Sequence, residues 1–311
     1  NLELINDLME KTDIILEISD TELTELNELL LDDPDPYKEP LDYSRKRLHR
    51  VFLDRRIDLG GRFYGPWYQN VYKEYRKRIL IDGAPTLELD YSALHPRLLY
   101  GVLKLPIPED DLYSVPGYSD ETRDFMKAFF LRILNASSKE EAIGSILHSA
   151  FKEKSVPIPE ESNNLEESYL DSLINEFEKK HAPIRHLFFK GYGNYLQWLD
   201  SQVAEKILLH FAHNGVAVLP LHDGFIIDFR RWTELYHIMQ KAFATNFKTS
   251  IPISNDNFDC LLTYFIEFAE PKVREGIIDR DEFTNFISEL LVINEILLTR
   301  NIEGLRCLER K

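Results

Sequence analysis

The sequence predicts an α/β (α+β) fold, helix-rich, with a small antiparallel sheet backed by helices. Three observations predict it. Apolar residues recur at helical spacing through long stretches of the chain. Residues 86–91, Thr-Leu-Glu-Leu-Asp-Tyr, alternate as a strand. Two short apolar runs within 216–229 fold about His222-Asp223-Gly224, a hairpin with an acid at its tip. The 311 residues are 44% hydrophobic and 29% charged, which fits a globular protein and argues against global disorder. That length allows about two domains or one elaborate one. Cys260 and Cys307 are the only cysteines, which excludes a disulfide scaffold and a cysteine-based zinc ribbon. The apolar runs fall far below the roughly 18 residues needed to span a bilayer, so no membrane partner is expected. No Met–basic–apolar leader follows Asn1, and the expected setting is cytoplasmic.

Taken in order, residues 2–31 read as helical, with Leu4, Leu8, Ile15, Ile18, Leu23, Leu26 and Leu30 among acids and with Ser19 and Thr21 as N-caps for a second helix. Asp32-Asp33-Pro34-Asp35-Pro36 stops it and is the best linker. A basic stretch, 43–56, is expected to be helical, and the glycine- and aromatic-rich 60–69 to be a loop or short hairpin. Pro96 suits a first helical turn. Ser119-Asp120-Glu121-Thr122 opens a helix to about residue 134. Residues 137–182 are mostly helical with a loop near 157–164, and 195–213 form a helix closed by Asn214-Gly215. A helix over 231–247 and a helical tail over 272–311 complete the reading.

The charge is unevenly spread. Net −16 speaks against a protein that coats nucleic acid by bulk charge. Residues 1–42 hold 14 acids against 2 bases, whereas 43–80 hold 11 bases against 3 acids. Most charge runs are solvated helix faces. This basic block also carries aromatics and a Gly-Gly-Arg turn, which a solvated face does not require.

Asp90, at a strand end, and Asp223, at a hairpin tip, are the candidate centre. No lysine or arginine adjoins either acid in its strand, and a carboxylate on a buried strand is costly unless its charge is compensated. Mg²⁺, a hard ion that binds through one or two carboxylates plus substrate phosphates, would compensate it. Two such ions can clamp an in-line phosphoryl displacement. The plain alternative is two unrelated turn-capping aspartates. Between them, Arg123 and Lys127 stand four apart on one helix face, with Asn135 two turns further on, as a triphosphate clamp would require.

These residues resemble, in order and spacing, the polymerase domain of family A DNA polymerases and the related single-subunit phage-type RNA polymerases. Asp90-Tyr91-Ser92 with Arg97 is similar to motif A, and Asp111-Leu112-Tyr113 to the Asp-x-His after it. Ser119 to Arg123 with Lys127 is similar to motif B, and Leu221-His222-Asp223 to motif C. Upstream, Asp58-Leu59-Gly60-Gly61-Arg62-Phe63-Tyr64 resembles an element of the RNA polymerase branch. The likeness covers roughly residues 58–228 with gaps. It departs at His95, where DNA polymerases usually carry a glutamate gate, at Asn135, where motif B ends in tyrosine, and at Gly224, commonly an acid.

The resemblance implies a right-hand polymerase. Its parts are an acidic helical segment over 1–42, a basic thumb-like segment over 43–80 that grips template and primer, a palm over 81–110 and 193–270, helical fingers over 111–192, and a tail over 271–311. It implies that Asp90 and Asp223 hold two Mg²⁺ ions, with Mn²⁺ able to substitute. Arg123 and Lys127 grip a nucleoside triphosphate and His222 touches the primer end. Arg62 and Arg97 contact template–primer or nearby acids, while Tyr91, His95 and Asn135 line the substrate. The expected function is primer extension, with template-directed DNA synthesis ahead of RNA polymerase or primase. A metal-dependent nuclease and a catalytically silent nucleic-acid-binding fold are the rivals. A protein partner is expected at the acidic N-terminus.

Overall fold

The computed structural model describes residues 1–35, 37–116, 122–153, 155–158 and 166–254, with scattered positions between 274 and 292. The chain is mixed α/β with an antiparallel sheet. It divides into two compact units, one of Asn1–Val51, Arg62–Ser92 and Ser201–Lys311, the other of Phe52–Gly61 and Ala93–Asp200. The expected fingers, 111–192, fall wholly in the second unit, which also takes residues 93–110 and 193–200 from the expected palm. The expected opening of motif B, 119–121, and nearly all of the tail lie outside the described residues. No helix among the described residues is long and apolar enough to cross a membrane.

In the first unit the chain begins with α1 (Leu2–Lys11), β1 (Ile14–Leu16) and α2 (Asp20–Asp32). Ser19 caps α2 with a reciprocal capping box to Glu22, as the sequence predicts. The strand at Ile14–Leu16 corrects the helical reading of that stretch. Ile14 and Leu16 bury one face, and the segment pairs antiparallel with β4 (Ile79–Ile81). The basic stretch is likewise not helical. It forms β2 (His49–Phe52), which pairs with β3 (Gly60–Tyr64) in a two-stranded ribbon. Cross-strand pairing outweighs the weak helical pattern there.

The main sheet runs β1-β4-β5-β7-β6, built on β5 (Ala84–Tyr91) and the hairpin of β6 (Leu219–Leu221) and β7 (Gly224–Asp228), with β8 (Ile253–Ser254) also on β5. The pairs β1–β4, β4–β5, β5–β7, β5–β8 and β6–β7 are all antiparallel. Because side chains alternate across a strand, Leu87, Leu89 and Tyr91 share one face of β5, and Thr86, Glu88 and Asp90 the other. The apolar face packs on α9 (Trp232–Phe247), whose Leu235, Met239 and Phe243 are fully buried.

The acidic N-terminal segment folds against the basic block. Arg47 reaches Glu3 at 2.7 Å and Glu10 at 2.9 Å, Arg45 pairs with Glu39, and Arg78 with Glu22 at 2.7 Å. The buried Asn6 amide clasps the Leu48 backbone, accepting from its N–H at 2.7 Å and donating to its carbonyl at 2.9 Å. Exposed pairs of this kind contribute about 0–1 kcal/mol each. Arg50 and Arg76 also hold acids, Glu205 and Glu88, and within the second unit Arg56 pairs with Asp58. Much of the positive charge expected to grip a duplex is therefore matched within the molecule.

The second unit contains α4 (Leu94–Val102), α5 (Arg123–Asn135), α6 (Lys139–His148), α7 (Glu167–Lys180) and the first turns of α8 (Gly193–His213). Its core is aromatic. Phe130 stacks on His181 at 4.6 Å and meets Phe177 at 4.8 Å and Phe188 at 5.5 Å. Within it the His181 imidazole is fully buried. Its Nε2 lies 2.9 Å from the Leu112 carbonyl and its Nδ1 3.0 Å from the Tyr100 hydroxyl. The carbonyl can only accept, so Nε2 carries the proton and Nδ1 accepts from Tyr100.

Candidate active site

The polar face of β5 meets the tip of the β6–β7 hairpin. Leu221 pairs with Gly224, leaving His222 and Asp223 as a two-residue turn. His222 has φ +63°, while Asp223 is not among the residues of positive φ. This is the sign pattern of a type II′ hairpin turn. The register sets Asp90 directly opposite Gly224. The Tyr91 amide donates to the Asp223 carbonyl at 3.2 Å. Two aspartates 133 positions apart in sequence thus arrive on adjacent strands, one residue out of register. Asp90 and Asp223 are both half-buried.

Gly224 makes this approach possible. A Cβ there would stand 1.9 Å from Asp90 Oδ1 and 3.0 Å from its Cγ. The Asp90 carboxylate therefore lies across the bare Cα of Gly224, beside the turn that carries Asp223. The sequence marks Gly224 only as a departure from an expected acid, and its steric role follows from register alone.

The hairpin is tied to β3 through Gln69. Its Nε2 donates to the Phe63 carbonyl at 3.1 Å and to the Pro220 carbonyl at 2.9 Å, and its Oε1 accepts from the Gly65 amide at 3.2 Å. Gly65 has φ +125° and a Cβ there would meet the Arg47 carbonyl at 2.7 Å, so glycine is required. The stitch sets the Tyr64 ring 5.2 Å from His222, edge to face. His222 is exposed, yet desolvation and then the Arg62 and Arg76 guanidiniums lower its pKa to about 4. At neutral pH it is an uncharged imidazole. Arg76 also pairs at 3.2 Å with Glu88, 4% exposed and in the same phase of β5 as Asp90. Sequence reasoning misses Glu88, Arg76 and Gln69, although the two-residue spacing of Glu88 and Asp90 is a signal that could have found Glu88, and it reaches Tyr64 only as the end of the Asp58–Tyr64 element.

Tyr91 and Arg97 are both buried. Tyr91, expected to line the substrate, points to the opposite face of β5. It is 3% exposed, and its hydroxyl donates to the Met239 carbonyl at 2.6 Å. Arg97, in α4, is 7% exposed; burial lowers its pKa while Tyr113, Asp111 and Asp110 oppose that. It is an interior guanidinium within the field of Asp111 and Asp110, the nearby acids that the resemblance also allows.

In the second unit, α5 presents Arg123 and Lys127 on one exposed face. Arg123 pairs with Asp111 and lies 5.7 Å from the Tyr113 ring centroid. Burial alone would raise the Asp111 pKa, but Arg123, the Tyr113 amide and Lys180 bring it below the ordinary carboxylate value. Lys127 makes no ion pair among the described residues. Asn135, exposed at the end of α5, lies against the Cα of Gly193, where a Cβ would stand 2.1 Å from its Oδ1. His95 is half-buried in α4, and Arg62 half-buried in β3.

Two carboxylates with oxygen donors suit a hard cation that completes its shell from water and phosphate. Among the described residues no group of three or more His, Cys, Asp or Glu side chains converges as a metal site. In comparison with known proteins, the chain matches no family model and no curated protein sequence.

Proposed function

We propose that the chain is a nucleotidyltransferase that extends a nucleic-acid primer. The observation that carries the reading is the register of β5 on β7, which sets Asp90 opposite Gly224 and beside Asp223. The order of the motifs, similar to family A DNA polymerases and single-subunit RNA polymerases, supports it. Asp90 and Asp223 would hold Mg²⁺ ions, which when bound neutralise charge on the phosphates undergoing displacement.

In the reaction, the primer 3′-oxygen forms a bond to the α-phosphorus of a nucleoside triphosphate. The bond to the β-phosphate oxygen breaks, pyrophosphate leaves, and the hydroxyl proton passes to solvent. No side chain serves as a nucleophile, so the protein contributes positioning and charge. The resemblance assigns Arg123 and Lys127, both on α5 of the second unit, to the triphosphate oxygens. Taking up the triphosphate exchanges Asp111 for phosphate at Arg123, a bidentate partner for either anion. His222, uncharged at neutral pH, offers a hydrogen bond to the primer end without repelling a cation. Its left-handed backbone, uncommon outside glycine, is the kind of local strain that accumulates at working sites. Arg62 and Tyr64 flank it from β3.

A second reading, RNA synthesis, is favoured by the Asp58 to Tyr64 element and by Gly224 in place of an acid. Extension of one labelled primer with deoxynucleotides and then ribonucleotides, with and without template, separates the two. Asp90→Asn and Asp223→Asn should each abolish Mg²⁺-dependent extension while the melting transition persists. A doubly substituted protein that still extends the primer refutes the proposal. Degradation without extension would point to a nuclease.

A further inference from the structure

The stretch 182–199 contains no acid, in a chain where acids occur about once in six residues. It carries Arg185, His186 and Lys190, interleaved with Phe188, Phe189, Tyr192, Tyr195 and Trp198. All of it lies in the second unit. Arg185, His186 and Lys190 are exposed, and neither Arg185 nor Lys190 makes an ion pair among the described residues. The aromatics that follow form a ladder along the start of α8. Tyr192 and Tyr195 are 6.3 Å apart between centroids, and Tyr195 and Trp198 are 5.7 Å apart at an interplanar angle of only 23°. All three rings are only part-buried, whereas Leu196 of the same helix is fully buried. The ladder therefore runs beside the helix face that builds the core.

The ladder has a rigid mount. The amides of Phe189, Tyr192 and Gly191 donate to the carbonyls of Ile133, Leu134 and Ala136 at 3.0, 3.1 and 2.9 Å, fastening the loop to the last turn of α5. Phe188 is buried against Phe130. Phe189 is held at φ +56°, an outlier for a bulky side chain and a strain that such fastening sustains. Cations without acidic neighbours, set beside a preformed row of part-exposed rings, are the two components of sequence-tolerant single-strand recognition: backbone attraction and base stacking. A solely structural row of aromatics would require neither the cations nor the exclusion of acids.

We propose that Tyr192, Tyr195 and Trp198, with Arg185 and Lys190, form a binding site for single-stranded nucleic acid, in which bases extend the ring stack and the two cations meet the phosphates. The site shares no residue with the proposed chemistry at Asp90 and Asp223. It is tested on the full chain in EDTA, without nucleotide, by fluorescence anisotropy of labelled 20-residue oligo(dT) and oligo(rU) and of a 20-base-pair duplex. Trp67 and Trp232 are 1% and 7% exposed, so quenching of intrinsic emission by the oligonucleotides reads Trp198. Trp198→Ala should weaken single-strand binding about tenfold or more, while Trp198→Phe retains most of it. Arg185→Glu with Lys190→Glu, both on the surface, should flatten the slope of log K against log salt by about 1.4. Because binding is read in EDTA without nucleotide, loss of catalysis and loss of binding are separable. Oligonucleotides that neither bind nor quench, a preference for the duplex, or the Glu pair binding with unchanged affinity and salt slope would each overturn the proposal. A stronger response to oligo(rU) than to oligo(dT), or the reverse, would support it and identify the strand.

Discussion

Replacing Gly224 with alanine tests the proposed centre at one atom. The new Cβ would stand 1.9 Å from Asp90 Oδ1, whereas real contacts essentially never fall under 3.0 Å. The carboxylate must therefore retreat by about 1.1 Å, the difference between those distances, or leave its rotamer. A displacement of about 1 Å at a reacting centre costs on the order of 10²-fold in rate, about 2.7 kcal/mol of barrier. The backbone at Gly224 lies outside the left-handed region, so alanine fits it. The reduced freedom of the unfolded chain returns about 0.4–1 kcal/mol against the clash. We therefore expect kcat for primer extension to fall about 100-fold, with Mn²⁺ affinity weakened in electron paramagnetic resonance titrations. KM for the nucleotide and the melting temperature should change little, because Arg123, Lys127 and the core are untouched. Gly224→Ala turning over at the unsubstituted rate with unchanged Mn²⁺ affinity would refute the steric argument.

Further outcomes follow from the buried groups. Arg76→Met removes the guanidinium 3.2 Å from the 4%-exposed Glu88 and should lower Tm by a few degrees in a calorimetric scan, with Glu88→Leu added to it recovering part of the loss. His181 titrates at about 4 in the folded chain because burial desolvates its cation, against 6.5 ordinarily. A base whose folded pKa is depressed binds fewer protons than the unfolded chain between those values, so stability falls as pH drops from 6.5 toward 4. The His181 share of the slope should approach about 1.4 kcal/mol per pH unit, seen as urea midpoints that decline with acidity and decline less steeply in His181→Gln, His222 keeping its own share.

What the sequence made legible were the features written in local pattern. The Ser19 cap, the apolar periodicity of α5, α8 and α9, the alternation of β5 and the turn at His222 each need only a few neighbouring residues, and all stand in the structure. β1 was not legible because Ile14–Leu16 is a strand only by virtue of Ile79–Ile81, far along the chain. The basic stretch misled for the same reason, since β3 decides its conformation. At the candidate site, residue type pointed to Asp90 and Asp223, and spacing to Arg123 with Lys127. Type also pointed to Tyr91 and Arg97, although the alternation that sets Tyr91 in phase with Leu87 and Leu89 already places it on the apolar face. Gln69 was invisible because its work is done on backbone carbonyls, one of them 151 positions away.

The placement of β1 bears on how the protein can be handled. The acidic segment could be taken for a removable tail, yet it supplies the outermost strand on β4 and the amide that satisfies Leu48. A chain shortened to begin at residue 43 would leave Ile79-Leu80-Ile81 with a bare row of amides and carbonyls, a template for pairing with another copy. Such a truncation should yield self-associating material, and loss of activity in it would say nothing about catalysis.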